Sequence, residues 1–425
     1  MSSTDQISGL RLLDVDTSPL IIETFANEEA PAYAILSHTW DIEEVSYQDV
    51  LLGKAPSRKA YAKIKQACKI AAQQGLRYLW VDTCCIDKKS SAELQEAICS
   101  MYKWYKNAEV CLVYLQDYMQ SSNSEPSLPS WCRWFKRGWT LQELLAPTAV
   151  KFFDCKWNEL GTKRTLGHQI ADITGIDLLV LRGEEDARTR TIAERMSWAA
   201  GRETSRVEDV AYSLMGLFDV FMPMLYGEGE RAFIRLQEEI MKQSEDNTIF
   251  AWKGEGPEFT RGLFARRPSE FGKRLLPSNM TAPGVQHTFS QYWMPEHQSY
   301  EPPTLTSRGL LITLPLLSMG IDSPDFRVSE LSLEARESSL LRFRRRGSFH
   351  WSELNDGMYL ALICCINVRE SEDRQLLCIP VRRHAESGVF TRTSPDTVRL
   401  LPETRASDFQ MHTIYALSSK KVGER

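Results

Sequence analysis

The chain has 425 residues, of which 43% are hydrophobic and 25% charged, with a formal net charge of −5. That composition supports two or three domains with ordinary cores and excludes a disordered chain. Lys and Arg are spread along the sequence, which excludes a basic nucleic-acid-binding stripe, and apolar runs such as Val110–Leu115 are far too short to span a bilayer.

The opening MSSTDQISGL is polar and has no apolar signal-peptide core, so a cytoplasmic location is expected. Ten cysteines are present, but Cys84, Cys85, Cys111, Cys364, Cys365 and Cys378 sit inside apolar runs, where a free thiol behaves as a small hydrophobe. No pair has CxxC spacing and none lies beside a histidine at zinc-ligand spacing, so free thiols in a reducing compartment and no metal site are expected.

YAILSH, 33–38, reads as a buried strand followed by the loop HTWDIEEV. Tyr61, Ile64, Cys68 and Ala71 recur at helical spacing within 57–74, and Gly75 stops that helix. LRYLWVDTCCI, 76–86, predicts a second buried strand. Ser90 and Glu93 have capping-box spacing, and the helix they open carries Leu94, Ala97, Ile98, Met101 and Tyr105 on one face. EVCLVYL, 109–115, predicts a third strand, and the Ser/Pro-rich loop 121–130 leads to a short helix over 140–145. AVKFFD, 149–154, predicts a fourth strand. Strands alternating with helices imply a parallel sheet covered on both faces.

Residues 156–250 read as mainly helical, with one stripe at Val210, Leu214, Leu217 and Phe218 and another at Phe233, Leu236 and Ile240. The glycines of Tyr226-Gly227-Glu228-Gly229 fit a junction between helices better than a phosphate loop. From about 251 the texture becomes β-rich, with strands expected at 310–317, 358–368 and 375–383.

In open parallel sheets ligands bind beyond the carboxyl ends of the strands. Those ends would carry His38, Thr39, Trp40 and Asp41 after the first strand, Asp82, Thr83 and Asp87 around the second, and Asp117 after the third. Glu143 begins a helix near the same rim. Several acids, two rings and a hydroxyl suit a polar ligand with ribose hydroxyls. A bare anionic phosphate does not fit, because no Gly-rich loop precedes a helix.

LSHTWDIEEV at 36–45, GLRYLWVDTCCIDK at 75–88, the stretch 90–117 and RGWTLQELLAP at 137–147 together resemble the fungal heterokaryon-incompatibility (HET) domain. RLLDVDT at 11–17 and the block 208–240 resemble segments that flank it, so the match runs in order over roughly 11–250. The resemblance implies a HET α/β domain over 1–155, a helical associated region over 156–250 and, beyond the match, a β-rich domain of unknown role over 251–425. HET domains in turn resemble Toll/interleukin-receptor (TIR) domains, which implies a TIR/flavodoxin-like sheet.

The TIR pattern includes a helix with Trp-Cys-x-x-Glu-Leu, which here reads Trp139-Thr140-Leu141-Gln142-Glu143-Leu144, with Thr140 in place of the common Cys. The glutamate of that helix is required for NAD⁺ cleavage in active TIR domains, and the resemblance assigns that role to Glu143. It also implies an effector of nonself recognition and regulated cell death, with NAD⁺ as substrate, no bound cofactor, and self-association through the HET domain under an unknown protein trigger. A non-enzymatic self-associating module is the alternative.

Each site residue has a second reading. Thr140-x-x-Glu143 is itself a capping-box spacing, in which the carboxylate bonds back to the Thr140 N–H. Trp139 can anchor the core or line the site. His38 can contact ligand or be a packed strand-end residue. Asp82 can hold a ribose hydroxyl or its own loop, and Trp40 can stack on a base or seal the sheet edge. Glu93 and Glu96 read as a cap and a solvated face, and Cys84 and Cys85 as core.

Overall fold

A computed structural model describes residues 9–121, 127–254, 260–272 and parts of 303–417. The chain divides into two compact units, residues 1–187 with 202–225, and residues 188–201 with 226–425.

The first unit is built on a seven-stranded sheet: β1 (Leu10–Asp14), β2 (Ile21–Phe25), β3 (Tyr33–His38), β4 (Tyr78–Trp80), β5 (Val110–Tyr114), β6 (Val150–Phe153) and β7 (Glu159–Thr162). The spatial order is β2-β1-β4-β3-β5-β6-β7. β3 pairs parallel with both β4 and β5, and β5 parallel with β6. The edges are antiparallel, so the sheet is mixed, not wholly parallel as the alternation of elements predicts. The reason lies in the connections. Residues 15–20 and 154–158 are too short to cross over a face, so β2 and β7 return beside their predecessors as hairpins.

β3 has the bounds expected from YAILSH, and every residue of it is buried, as a central strand covered on both sides requires. β4 is shorter than the apolar run 76–86. Its register with β3 ends at Ile35–Trp80, after which Asp82–Cys85 coil into a helical turn, with the Cys84 and Cys85 amides bonding the Val81 carbonyl. An apolar run fixes burial but does not distinguish a strand from a buried turn.

Six helices accompany this core: α1 (Tyr47–Leu51), α2 (Tyr61–Gln73), α3 (Asp82–Cys85), α4 (Ser91–Asn107), α5 (Arg133–Lys136) and α6 (Thr140–Leu145). α2 buries Ile64, Ala67, Cys68 and Ala71, and Gly75 ends that segment at φ 77°, a left-handed position suited to glycine. The crossovers from β3 to β4 and from β4 to β5 run in opposite directions across the sheet. Right-handed connections therefore put α2 on one face and α4 on the other. α6 packs against α4, and Trp80 is wedged beside Trp104 and Tyr105 of α4. Half of the Ser90/Glu93 capping box forms: Ser90 accepts from the Glu93 amide, but the Glu93 carboxylate serves Arg11 and the Asp87 N–H instead.

Residues 163–187 and 202–225 of this unit carry short helices joined by turns, and the stripe Val210–Phe218 is split into the helices Asp209–Tyr212 and Met215–Phe218. In the second unit the helix Arg231–Met241 buries Phe233, Leu236 and Ile240, the stripe expected from the sequence. Gly227 and Gly229 hold positive φ in the turn just before it, and Glu228 there pairs with Arg235 at 2.6 Å. The strands Gly309–Ser318, Met358–Asn367 and Arg374–Arg383 cover the three expected β segments. Together with Phe390–Thr393 and Gln410–Ala416 they close into a ring, since Arg374–Arg383 pairs back with Phe390–Thr393. Closure removes the exposed edges that an open sheet of this size would present. The side chains of Cys364 and Cys365 and part of the loop 121–130 lie outside the described residues.

Candidate functional site

The parallel core runs β4-β3-β5-β6, so its chain order is second, first, third, fourth. The direction of winding reverses between β3 and β5, and the carboxyl end of β3 at that reversal is where a doubly wound sheet opens a crevice. Ser37 and His38 end β3 at this point.

Glu143 reaches the same point from α6. Its Oε2 accepts from Ser37 Oγ at 2.5 Å, and Ser37 Oγ accepts from Trp134 Nε1 at 2.7 Å. The capping-box alternative is overturned. Thr140 is the first helical residue, not the cap, and its hydroxyl lies 2.5 Å from the Trp134 carbonyl and 2.8 Å from that of Arg137. The same hydroxyl accepts from Arg202 Nη1 at 2.9 Å. Tethered this way, Thr140 faces away from the cap position and the Glu143 side chain is released toward β3. At the other end of α6, the buried Lys163 ammonium donates to the carbonyls of Leu144 and Pro147 at 3.1 and 2.5 Å. A cation at a helix C-terminus satisfies carbonyls that have no partner in the helix.

Glu143 is only 7% exposed. Burial pushes its carboxyl up to about 7, Asp82 adds to the rise, and the Ser37 hydrogen bond and Arg137 oppose it. Near neutral pH this group therefore divides between acid and carboxylate, as a group that exchanges protons or stabilises a cation does. Arg202, buried close enough to feel Glu143, is lowered to about 10 by desolvation and stays charged.

His38 is buried and both ring nitrogens lack a hydrogen-bond partner. Its Nε2 lies 3.7 Å from Glu44 Oε2 and 3.9 Å from Asp82 Oδ1. Desolvation, reinforced by Lys63, pushes the imidazole down to about 3, so His38 is neutral. Glu44 is held by Lys63 at 2.7 Å and by the Asp41 amide at 2.9 Å. Asp82 opens α3 and accepts from Trp40 Nε1 at 2.7 Å, with Lys88 at 3.6 Å. Burial works against ionised Asp82, but Lys88, Arg137 and the Trp40 hydrogen bond outweigh it and hold the carboxyl below its usual range. Lys88 Nζ sits 3.4 Å from the centre of the Trp40 ring and Arg137 5.0 Å from it.

The structure thus brings together His38, Trp40, Asp82 and Glu143 of the expected residues. Thr39 is buried beside His38 in sequence, and Asp41 is exposed and bound by Gln116. Trp139 is half-buried at the start of α6, and among the described residues none of the bonds that tie the rim together uses it. Asp87 accepts from Gln48 and Asp117 from the Arg133 amide, both as loop ties. Sequence reasoning missed Ser37, Glu44, Lys63, Lys88, Arg133, Trp134 and Arg137. Ser37 was legible as the alternate position of β3. The cations carried no pattern until the loops folded back over the sheet edge. The Cys84 and Cys85 thiols are buried and pushed upward by desolvation, which suits core residues.

Residues 33–133 match the family model of heterokaryon incompatibility protein (HET). Residues 231–262 match a domain of unknown function, DUF8212. Among curated proteins, the chain is 47% identical over 244 residues to the vegetative incompatibility protein HET-E-1 of Podospora anserina, an alignment covering 55% of this chain. The chain spans 18% of that relative's length. No solved structure matches the chain.

Proposed function

We propose that this chain, which carries a HET domain over residues 33–133, acts in fungal nonself recognition and regulated cell death by cleaving NAD⁺ at the nicotinamide–ribose bond. The similarity to a vegetative incompatibility protein supports the biological part of this reading. The core strand order, second-first-third-fourth, supports a TIR/flavodoxin-like sheet, since flavodoxin-like folds share it. The observation that carries the chemical part is Glu143: a buried carboxyl poised near neutrality, turned away from its own helix and onto the end of β3.

Departure of nicotinamide leaves an oxocarbenium-like ribosyl cation. A fixed carboxylate beside it stabilises that charge in a low-dielectric setting, and water then completes hydrolysis. Ser37, itself bonded by Trp134 Nε1, holds the carboxylate from one side, so its position is set before any ligand arrives. The test is to incubate the purified 425-residue chain with NAD⁺ and follow free nicotinamide. Release by wild type and its loss in Glu143→Ala is the expected outcome; full release by Glu143→Ala removes the assignment.

A second reading, a self-associating module without catalysis, is favoured by exposed apolar side chains on the loop after β3 and on and beside α1. Ile42 is 75% exposed, Leu51 58% and Leu52 64%. Exposed apolar side chains that form a contiguous patch mark interaction sites.

A further inference from the structure

The rim holds more cationic donors than its own acids use. Asp41 is bound by Gln116, Glu44 by Lys63, Asp82 by Trp40 and Lys88, and Asp117 by the Arg133 backbone. The Arg133 guanidinium makes one hydrogen bond, from Nη2 to the Trp40 carbonyl at 3.4 Å. The Arg137 guanidinium stacks over the Trp40 ring, and among the described residues neither it nor Arg133 has a carboxylate in salt-bridge range. Lys88 lies over the same ring. Arg137 is also close enough to bias the ionisation of His38, Asp82 and Glu143. Lys88 and Arg137 thus gather on one indole and Arg133 on the backbone carbonyl of the same residue, at the winding reversal of the sheet, and among the described residues neither guanidinium fork has a carboxylate in salt-bridge range. Such a fork matches two oxygens of a phosphate, and its side-chain donors replace the backbone amides of a Gly-rich loop.

We propose that Lys88, Arg133 and Arg137 form a subsite for the phosphates of a pyrophosphate-bearing nucleotide, beside the Glu143 carboxyl. This reverses the expectation that the rim rejects an anionic phosphate, which rested on the missing glycine loop alone. It deepens the reading of the rim as a nucleotide site and rests on that reading. The indole holds Lys88 and Arg137 and the Trp40 carbonyl holds Arg133, so part of their entropy is lost before the anion binds.

The test is calorimetric titration of the 425-residue chain with ADP-ribose, inorganic pyrophosphate and adenosine, at two salt concentrations. ADP-ribose is expected to bind tightest, pyrophosphate more weakly and with strong salt dependence, and adenosine at least about tenfold more weakly than ADP-ribose. Arg133→Gln, Arg137→Gln and the double variant are expected to weaken ADP-ribose progressively, the double by at least about tenfold. Arg133 is exposed, so its variant tests the claim even where Arg137→Gln disturbs the fold. Adenosine binding as well as ADP-ribose, unchanged affinity in Arg133→Gln and the double variant, or no binding of either anion overturns the subsite. Pyrophosphate binding more tightly than ADP-ribose reduces it to an anion site and overturns the nucleotide assignment. ADP-ribose binding without nicotinamide release from NAD⁺ sinks the hydrolase reading and leaves the subsite standing. Release with an unchanged KM in the arginine variants does the opposite.

Discussion

At the residue scale, Glu143 decides between two chemistries that share one spacing. A capping glutamate would stabilise α6 and titrate low, because hydrogen bonds from backbone N–H groups favour the charged form. The observed carboxyl instead bonds Ser37 and is raised from 4.5 to about 7 by burial. A raised carboxyl means the folded chain holds a proton that the unfolded chain has already lost. Its contribution to stability is therefore intact below pH 4.5 and declines as pH rises to about 7, a loss on the order of 3 kcal/mol. Glu143→Gln keeps an acceptor for Ser37 and removes the ionisation. It is expected to raise the melting temperature at pH 8 and to leave it nearly unchanged at pH 4. A lower melting temperature at pH 8 would mean that the carboxylate stabilises the fold after all.

Among the elements, α4 has the most exacting neighbours. It buries Ala97, Ile98, Met101, Trp104 and Tyr105: the face that helical spacing predicts, except that Leu94 in the first turn is only half-buried and Trp104 joins it. The helix Met215–Phe218 lies against it so closely that a Cβ at Gly216 would overlap the Cβ of Tyr102. Gly216→Ala is expected to cost about 1–3 kcal/mol, as overpacking does. Gly201→Ala, where nothing lies within 4 Å of the added carbon, serves as the neutral control. Equal stability of the two variants in chemical denaturation would refute the close approach. Elements with a single strong period or a continuous apolar run were legible in advance: β3, α2, α4, β5, β6 and α6. β4 was overextended, because Cys84, Cys85 and Ile86 remain apolar and buried after the chain leaves the sheet. β2 was not foreseen as a strand, since an edge strand half-open to solvent has no clean alternation.

For the whole molecule, the sequence identified which segments meet but not how their side chains divide the work. His38, Trp40, Asp82 and Glu143 converge because they end β3, open α3 and sit in α6, positions fixed by local pattern and by the handedness of crossovers. The cations that hold them come from loops and helix faces with no periodic signal, so Lys63, Lys88 and Arg137 became visible only in three dimensions. The apolar side chains Ile42, Leu51 and Leu52 belong to this scale too, because they bear on assembly. If they form a contact surface, Leu51→Asp with Leu52→Asp shifts the protein toward monomer in sedimentation velocity without altering ADP-ribose affinity; an unchanged sedimentation profile in a self-associating protein removes that surface.

The central claim is that Glu143 serves chemistry at the cost of stability. One paired measurement tests it most directly: nicotinamide release from NAD⁺ and thermal stability at pH 8, for wild type and Glu143→Gln side by side. The variant is expected to melt higher and to release no nicotinamide. A variant that melts lower, or that releases nicotinamide at the wild-type rate, contradicts that claim.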